Sequence, residues 1–176
     1  MRILSLKKLI PILTVILLSG CSLQSSQLSS LIALIKEPSL DLSANSWLVR
    51  YSGYESVVYA VSTADGTLFS NKAGDQVLFD GWTIRQVRGL GRRGLDVRID
   101  ELDGARTFKR GTRTLASHSC QEWRREVSSG MVSLSQSCGD RRDYSNSILV
   151  LEDGSISVIR QIVDERYTAL TLTKLK

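Results

Sequence analysis

The chain has 176 residues and carries 23 Lys and Arg against 18 Asp and Glu, giving a formal net charge of +5. The first 20 residues hold three of the basic side chains and no acidic one, so 20 basic and 18 acidic side chains remain and the rest is nearly balanced. This balance excludes a protein that binds nucleic acid through a strongly basic surface. About 155 residues come after the leader, enough for one domain with its own core.

Residues 1–20 have the pattern of a secretory signal peptide. Arg2, Lys7 and Lys8 precede an apolar run from Leu9 to Leu18, and small residues close it. That run is about half the ~20 apolar residues that a membrane-spanning helix needs. The segment is therefore predicted to direct export rather than to span a membrane.

The signal peptide ends in Leu18-Ser19-Gly20-Cys21, the pattern called a lipobox. It predicts attachment of diacylglycerol to the Cys21 thiol and cleavage before that residue. Two or three acyl chains on one residue make a stable anchor where one chain would not. Ser22, in place of an aspartate, favours sorting to the outer membrane in Gram-negative lipoproteins. The alternative is a chance cysteine after an ordinary signal peptide or a short anchor.

Residues 21–30 are predicted to be a lipidated amino terminus and flexible tether, rich in Ser and Gln. Residues 31–176 are then one β-rich domain. The stretch Leu28–Lys36 has apolar residues at helical spacing and stops before Glu37-Pro38, so it predicts one short helix.

From Trp47 onward, short alternating segments are separated by turn signals, which is typical of an all-antiparallel fold. Asp-Gly pairs such as Asp80-Gly81 and Asp103-Gly104 favour tight hairpins, because both central residues need positive φ. The predicted fold class is mainly β: an antiparallel meander forming a sandwich or half-open barrel. Its predicted strands are 47–51, 56–62, 67–70, 76–79, 82–88, 95–99, 105–110, 119–127, 131–137, 144–151, 155–163 and 167–175.

Cys120 and Cys138 remain once Cys21 is assigned to lipid. An even pair in an exported chain predicts a structural disulfide in an oxidising compartment. The alternatives are two free thiols, or a redox or metal-binding pair. The pair has no C-x-x-C spacing and only His118 as a further ligand, too few ligands for a zinc site.

The segment Gly89–Gly94 matches the letters G-x-G-x-x-G of a nucleotide-binding loop. The next residues, "LDVRIDEL" at 95–102, alternate like a strand and provide no helix amino terminus, so a turn between strands is the better interpretation. Arg92 and Arg93 in this turn are candidate contacts for an anionic sugar or lipid phosphate, because guanidinium groups suit such anions.

No combination of residues predicts catalysis, a metal or a cofactor. The single His118 lies between two serines and is expected in an exposed loop, and the chain contains no G-x-S-x-G elbow. The acidic cluster of Asp96, Asp100, Glu101 and Asp103 is expected to be a solvated hairpin end rather than a calcium site. The three tryptophans, Trp47, Trp82 and Trp123, are expected to fill the core, with sugar stacking as the alternative for one of them.

Four segments resemble the YjbF/GfcB family of outer-membrane lipoproteins, found in operons for capsule and exopolysaccharide production. They are the lipobox, residues 54–91, "SCQEWRREV" at 119–127, and residues 148–176. The third contains the family pattern C-x-x-W-x-x-E-V as Cys120, Trp123, Glu126 and Val127. The resemblance implies a β-rich lipoprotein at the periplasmic side of the outer membrane that assists polysaccharide secretion or assembly. It implies no catalytic residue.

Two functions from different classes are consistent with these patterns. The first is a non-enzymatic accessory factor for exopolysaccharide or capsule export, held at the membrane by its lipid anchor and docking against export proteins or polysaccharide. The second is a carrier or chaperone for lipid or lipoprotein, with an apolar cavity in a half-barrel. Hydrolysis or modification of the polysaccharide has no residue pattern in its favour.

Overall fold

The computed structural model describes residues 45–91 and 94–175. Within these ranges the chain forms thirteen β-strands and no helix. The strands are β1 Ser46–Tyr51, β2 Tyr54–Thr63, β3 Gly66–Ser70, β4 Gln76–Phe79, β5 Ile84–Leu90, β6 Leu95–Leu102, β7 Ala105–Arg110, β8 Arg113–Cys120, β9 Arg124–Ser128, β10 Met131–Gly139, β11 Asp143–Val150, β12 Ile156–Ile162 and β13 Ala169–Lys174.

The strands form a closed antiparallel barrel with 12 strand positions, one of which is shared by β8 and β9. Each strand from β1 to β7 pairs with the strand that follows it, each strand from β10 to β12 does the same, and β13 pairs back with β1. The two series of strands meet at β10, which pairs with both β8 and β9 because β9 continues in the position that β8 begins. Closure pairs the backbone N–H and C=O groups that the edge strands of an open sheet would leave without partners.

Period-two alternation places apolar side chains inside the barrel. On β1, Trp47 and Val49 are buried while Arg50 is exposed, and on β7 Phe108 is fully buried between outward-facing neighbours. The interior contains a core of 18 buried apolar residues, which come from almost every strand position of the barrel. Burial of this kind contributes about 25 cal/mol per Å² of apolar surface removed from water.

The meander depends on tight turns. Asp103 and Gly104, between β6 and β7, have φ of 52° and 71°, and Ser129 and Gly130, between β9 and β10, have φ of 50° and 78°. Two consecutive residues in the left-handed region match the twist of the flanking strands. The predicted hairpin between β6 and β7 is confirmed.

The predicted mainly β, antiparallel meander is confirmed, but both predicted architectures, the sandwich and the half-open barrel, are wrong, because one continuous sheet closes through pairing of β1 with β13 and of β10 with β11. The single strand predicted over 119–127 covers only the end of β8 and most of β9, which are separated at 121–123, and residues 113–118 of β8 were missed. β8 is mostly polar and lacks the apolar alternation that marks a strand in the sequence. The predicted signal peptide, tether and helix at Leu28–Lys36 lie outside the described residues.

Candidate functional site

The barrel interior contains a polar layer among its apolar residues. Its members, which we call the interior polar network, are inward-facing side chains on β6, β7, β10, β11 and β12. Within it, Arg106, Asn146 and Gln161 have no exposed surface, and Gln136 is 2% exposed. Buried polar groups are costly unless they are hydrogen-bonded. The network comprises Glu101, Arg106, Gln136, Asn146 and Gln161.

Arg106 is the charged centre of this network. Its Nη1 donates to Oε2 of Glu101 at 2.9 Å, and its Nη2 donates to Oε1 of Gln161 at 2.9 Å and to the carbonyl of Ile162 at 3.2 Å. Its Nε has no hydrogen-bond partner among the described residues. Burial lowers the pKa of Arg106, and the Glu101 carboxylate opposes that effect. The guanidinium remains charged, because arginine is not deprotonated in proteins.

Amide side chains extend the network across the barrel. Gln136 donates from Nε2 to Oε1 of Glu101, and Asn146 donates from Nδ2 to Oε1 of Gln136 at 3.0 Å. The backbone N–H of Ile162 donates to Oδ1 of Asn146 at 2.9 Å. The hydrogen bonds therefore run from β6 through β10 and β11 to β12, and the Arg106–Gln161 bond links β7 to β12 across the lumen.

The network also holds the turn between β4 and β5. Gln161 donates from Nε2 to the carbonyl of Trp82 at 2.6 Å and accepts at Oε1 from the N–H of Ile84 at 3.0 Å. Thr83 donates to Oε2 of Glu101 at 3.0 Å. Oδ1 of Asp80 accepts from the N–H groups of Trp82 and Thr83. Buried groups thus fix this turn while the Trp82 side chain remains 51% exposed, with its ring 5.9 Å from that of Trp123.

A histidine–aromatic cluster lies beside Arg106. The His118 ring stacks on Tyr167 at 4.9 Å with 9° between planes, and its Nδ1 is 3.0 Å from the hydroxyl of Tyr144. Burial lowers the pKa of His118 and raises the pKa of Tyr144 to about 12. Both side chains are therefore neutral near pH 7, and the pair is suited to packing and hydrogen bonding. Arg142 covers the Tyr167 ring, 5.6 Å from its centroid.

The junction between β8 and β10 is the shortest pairing in the barrel wall. Only Cys120 with Cys138 and Ser119 with Gly139 are paired there. Cys120 and Cys138 form a disulfide, with Cα atoms 4.0 Å apart. The predicted pairing of the two cysteines is present, and the covalent bond joins the wall where backbone pairing is least extensive.

A groove of about 650 Å³ runs along the outer surface of β4, β5 and β6. The arginines facing it are matched by carboxylates: Arg98 contacts Asp100 at 3.0 Å, and Arg88 lies 3.8 Å from Asp96. The hydrogen bond from Lys109 lowers the pKa of Asp100. This groove is therefore charge-balanced among the described residues.

Several predicted site residues fall outside the described part of the chain, and others are corrected. Cys21, Arg92 and Arg93 lie outside the described residues. The prediction of an exposed loop for His118 is wrong, because the residue is on β8 facing the core and is 2% exposed. The solvated acidic cluster is wrong for Glu101, whose side chain is 18% exposed and pairs with Arg106.

The tryptophans divide between core and surface. Trp47 fills the core, edge-on to Phe69 at 5.0 Å, as predicted. Trp123 is partly buried against the core. The core prediction is wrong for Trp82, which belongs to a turn and is exposed.

The interior polar network was not predicted from the sequence, although alternation carried a signal for some of its members. Arg106 is two residues before inward-facing Phe108, and Gln161 lies between Ile159 and Val163, which share a face. Glu101 lies two residues after inward-facing Ile99 on β6.

In the part of the chain that the structure describes, no group of His, Cys, Asp or Glu is arranged to hold a metal ion. The same residues contain no helix long and apolar enough to cross a membrane. No protein-family model, curated protein or solved structure matches this chain.

Proposed function

We propose that this chain is an outer-membrane lipoprotein of the YjbF/GfcB type, anchored through Cys21 with its barrel in the periplasm. In this proposal it is a non-enzymatic accessory factor for the secretion or assembly of an exopolysaccharide or capsule. The observation that carries the proposed location is the disulfide at the β8–β10 junction of the closed barrel, together with the export signal and lipobox predicted from the sequence. Disulfides persist in oxidising compartments such as the periplasm.

The interior of the barrel favours this role over that of a lipid carrier. A carrier needs an apolar cavity large enough for an acyl chain. Here the Arg106–Gln161 hydrogen bond crosses the lumen, and Gln161 further bonds the β4–β5 turn. Separating these walls would leave Arg106 buried beside a carboxylate with fewer partners, which is costly. A barrel joined internally in this way acts through its outer surface.

The lipid anchor supplies the mechanism. Acyl chains on Cys21 confine the barrel to a layer beside the membrane and raise its effective concentration for membrane-bound export proteins without any added contact. The protein then contributes position and a rigid surface to the export assembly.

Complementation of a deletion strain tests this function. Surface polymer is measured after deletion of the gene and re-expression of wild type, Cys21→Ala or the matched tether variant Ser26→Ala, with immunoblots to equalise protein levels. Wild type and Ser26→Ala restore the polymer, and Cys21→Ala does not. Unchanged polymer after deletion, or full rescue by Cys21→Ala, would refute the proposal.

A further inference from the structure

The exposed large apolar side chains of the barrel collect at one end. We call it the β1 end, because β1 begins there, and its turns are 64–65, 80–83, 103–104, 129–130 and 151–155. Five of the seven exposed large apolar residues lie in these turns or within two residues of them. They are Trp82 at 51%, Leu102 at 72%, Val127 at 60%, Met131 at 41% and Leu151 at 37%.

The opposite end differs. Its described turns, at 52–53, 71–75, 91 and 94, 111–112, 140–142 and 163–168, carry no exposed large apolar side chain. The remaining two of the seven, Val57 and Val61, lie on β2. Exposed apolar groups are normal when scattered, but their concentration at one end marks a contact surface.

The apolar side chains occupy separate turns rather than one continuous face. Trp82, Leu102 and Leu151 belong to three different hairpins, while Val127 and Met131 flank the tip of a fourth. A fluid lipid surface accommodates several separate apolar tips, and tryptophan favours the boundary between headgroups and acyl chains. The Trp82 turn is held by Gln161 from inside the barrel and by Asp80 within the turn, so binding requires no further ordering of its backbone.

The connection to the proposed anchor leaves the barrel at the same end as the apolar turns. The described domain begins at this same end, with Ser46 opening β1, and the lipobox cysteine lies 25 positions earlier. A fully extended connection of this length reaches at most about 90 Å, so the tether permits docking of the β1 end, and the apolar turns are what select that end.

Charge at these turns selects the kind of lipid. Five exposed carboxylates occupy them, Asp65, Asp80, Asp103, Glu152 and Asp153, against one exposed cation among the described residues, Lys174, at the end of β13 beside Asp153. An anionic bilayer surface repels such groups, whereas a zwitterionic surface does not.

From these observations we propose that the β1 end of the barrel docks on the zwitterionic lipid surface to which Cys21 is anchored, with Trp82, Leu102 and the β9–β10 tip entering the headgroup layer. This rests on the proposed lipid anchor. It assigns the opposite end, with its polar turns, to face away from the membrane.

Fluorescence quenching in vesicles tests the orientation. Full-length mature protein is reconstituted into phosphatidylcholine and phosphatidylethanolamine vesicles containing acyl-brominated phosphatidylcholine, and acylation of Cys21 is confirmed by mass spectrometry. The difference between wild type and Trp82→Phe isolates the Trp82 emission. A reporter at the opposite end is Lys72→Trp in the Trp82→Phe background, since Lys72 is exposed in the 71–75 turn.

Docking predicts that brominated lipid removes most of the Trp82 emission while aqueous acrylamide removes little. The Lys72→Trp reporter shows the reverse, and exchanging part of the lipid for phosphatidylglycerol weakens the lipid quenching of Trp82. With acylation confirmed, equal quenching of the two reporters overturns the orientation. Trp82 emission open to acrylamide in vesicles but protected in whole envelopes overturns it in favour of a protein partner. An unacylated Cys21 instead contradicts the anchor itself, so the two failures are distinguishable.

Discussion

Removing the charge of Arg106 is expected to destabilise the barrel strongly. In Arg106→Met, Glu101 keeps hydrogen bonds from Thr83 and Gln136 but loses its only cation within 4 Å among the described residues. Breaking a buried ion pair by removing one partner costs about 3–5 kcal/mol. Glu101 is 18% exposed, so the lower part of this range applies and we expect a loss of about 3 kcal/mol.

Urea unfolding of the mature protein, monitored by far-ultraviolet circular dichroism, measures this loss. Arg110→Met is the matched control, since Arg110 ends the same strand but is exposed, and it should change the free energy of unfolding by at most about 0.5 kcal/mol. The double variant Glu101→Gln with Arg106→Met should recover at least about 1 kcal/mol, because the uncompensated carboxylate is gone. A loss below about 1 kcal/mol in Arg106→Met, or no recovery in the double variant, would refute the account of the interior polar network.

Replacing both Cys120 and Cys138 by Ala should lower the free energy of unfolding by about 3 kcal/mol, and reductant should destabilise wild type but not this variant in the same urea titration. The pKa of His118 is lowered by folding, so the unfolded chain binds more protons below the ordinary pKa and stability should fall as pH drops from about 7 to 5. His118→Phe should flatten that part of the profile, and an unchanged slope would contradict the assignment, since the chain has one histidine. Gly89→Ala should lower the thermal melting temperature more than Gly154→Ala. Both glycines have φ near 80°, but an added Cβ at Gly89 would clash with the backbone of Gly74, whereas one at Gly154 would contact nothing.

The strand pattern was predictable because it depends on local signals. Alternation around Trp47 and Val49 and the Asp103-Gly104 turn each act within a few residues, and the structure agrees with them. Closure was not predictable in this way, because pairing of β1 with β13 joins residues more than 100 positions apart and no local signal specifies it.

The interior polar network shows the same limit at the level of side chains. Alternation with Phe108 indicates that Arg106 faces inward, but arginine is almost never fully buried without a partner. Its partner Gln161 is 55 positions away, and their approach depends on the closed barrel. For Cys120 and Cys138 the predicted export and the predicted use of Cys21 for lipid were enough, because they leave two cysteines with one possible pairing.

Location at the membrane is the claim on which the proposed function and the docking of the β1 end both depend. Mass spectrometry of the amino-terminal peptide from protein recovered in envelope fractions measures it directly. The account predicts a peptide beginning at Cys21 that carries acyl chains, and loss of this species in Cys21→Ala. An unmodified amino terminus on protein released from the envelope would contradict it.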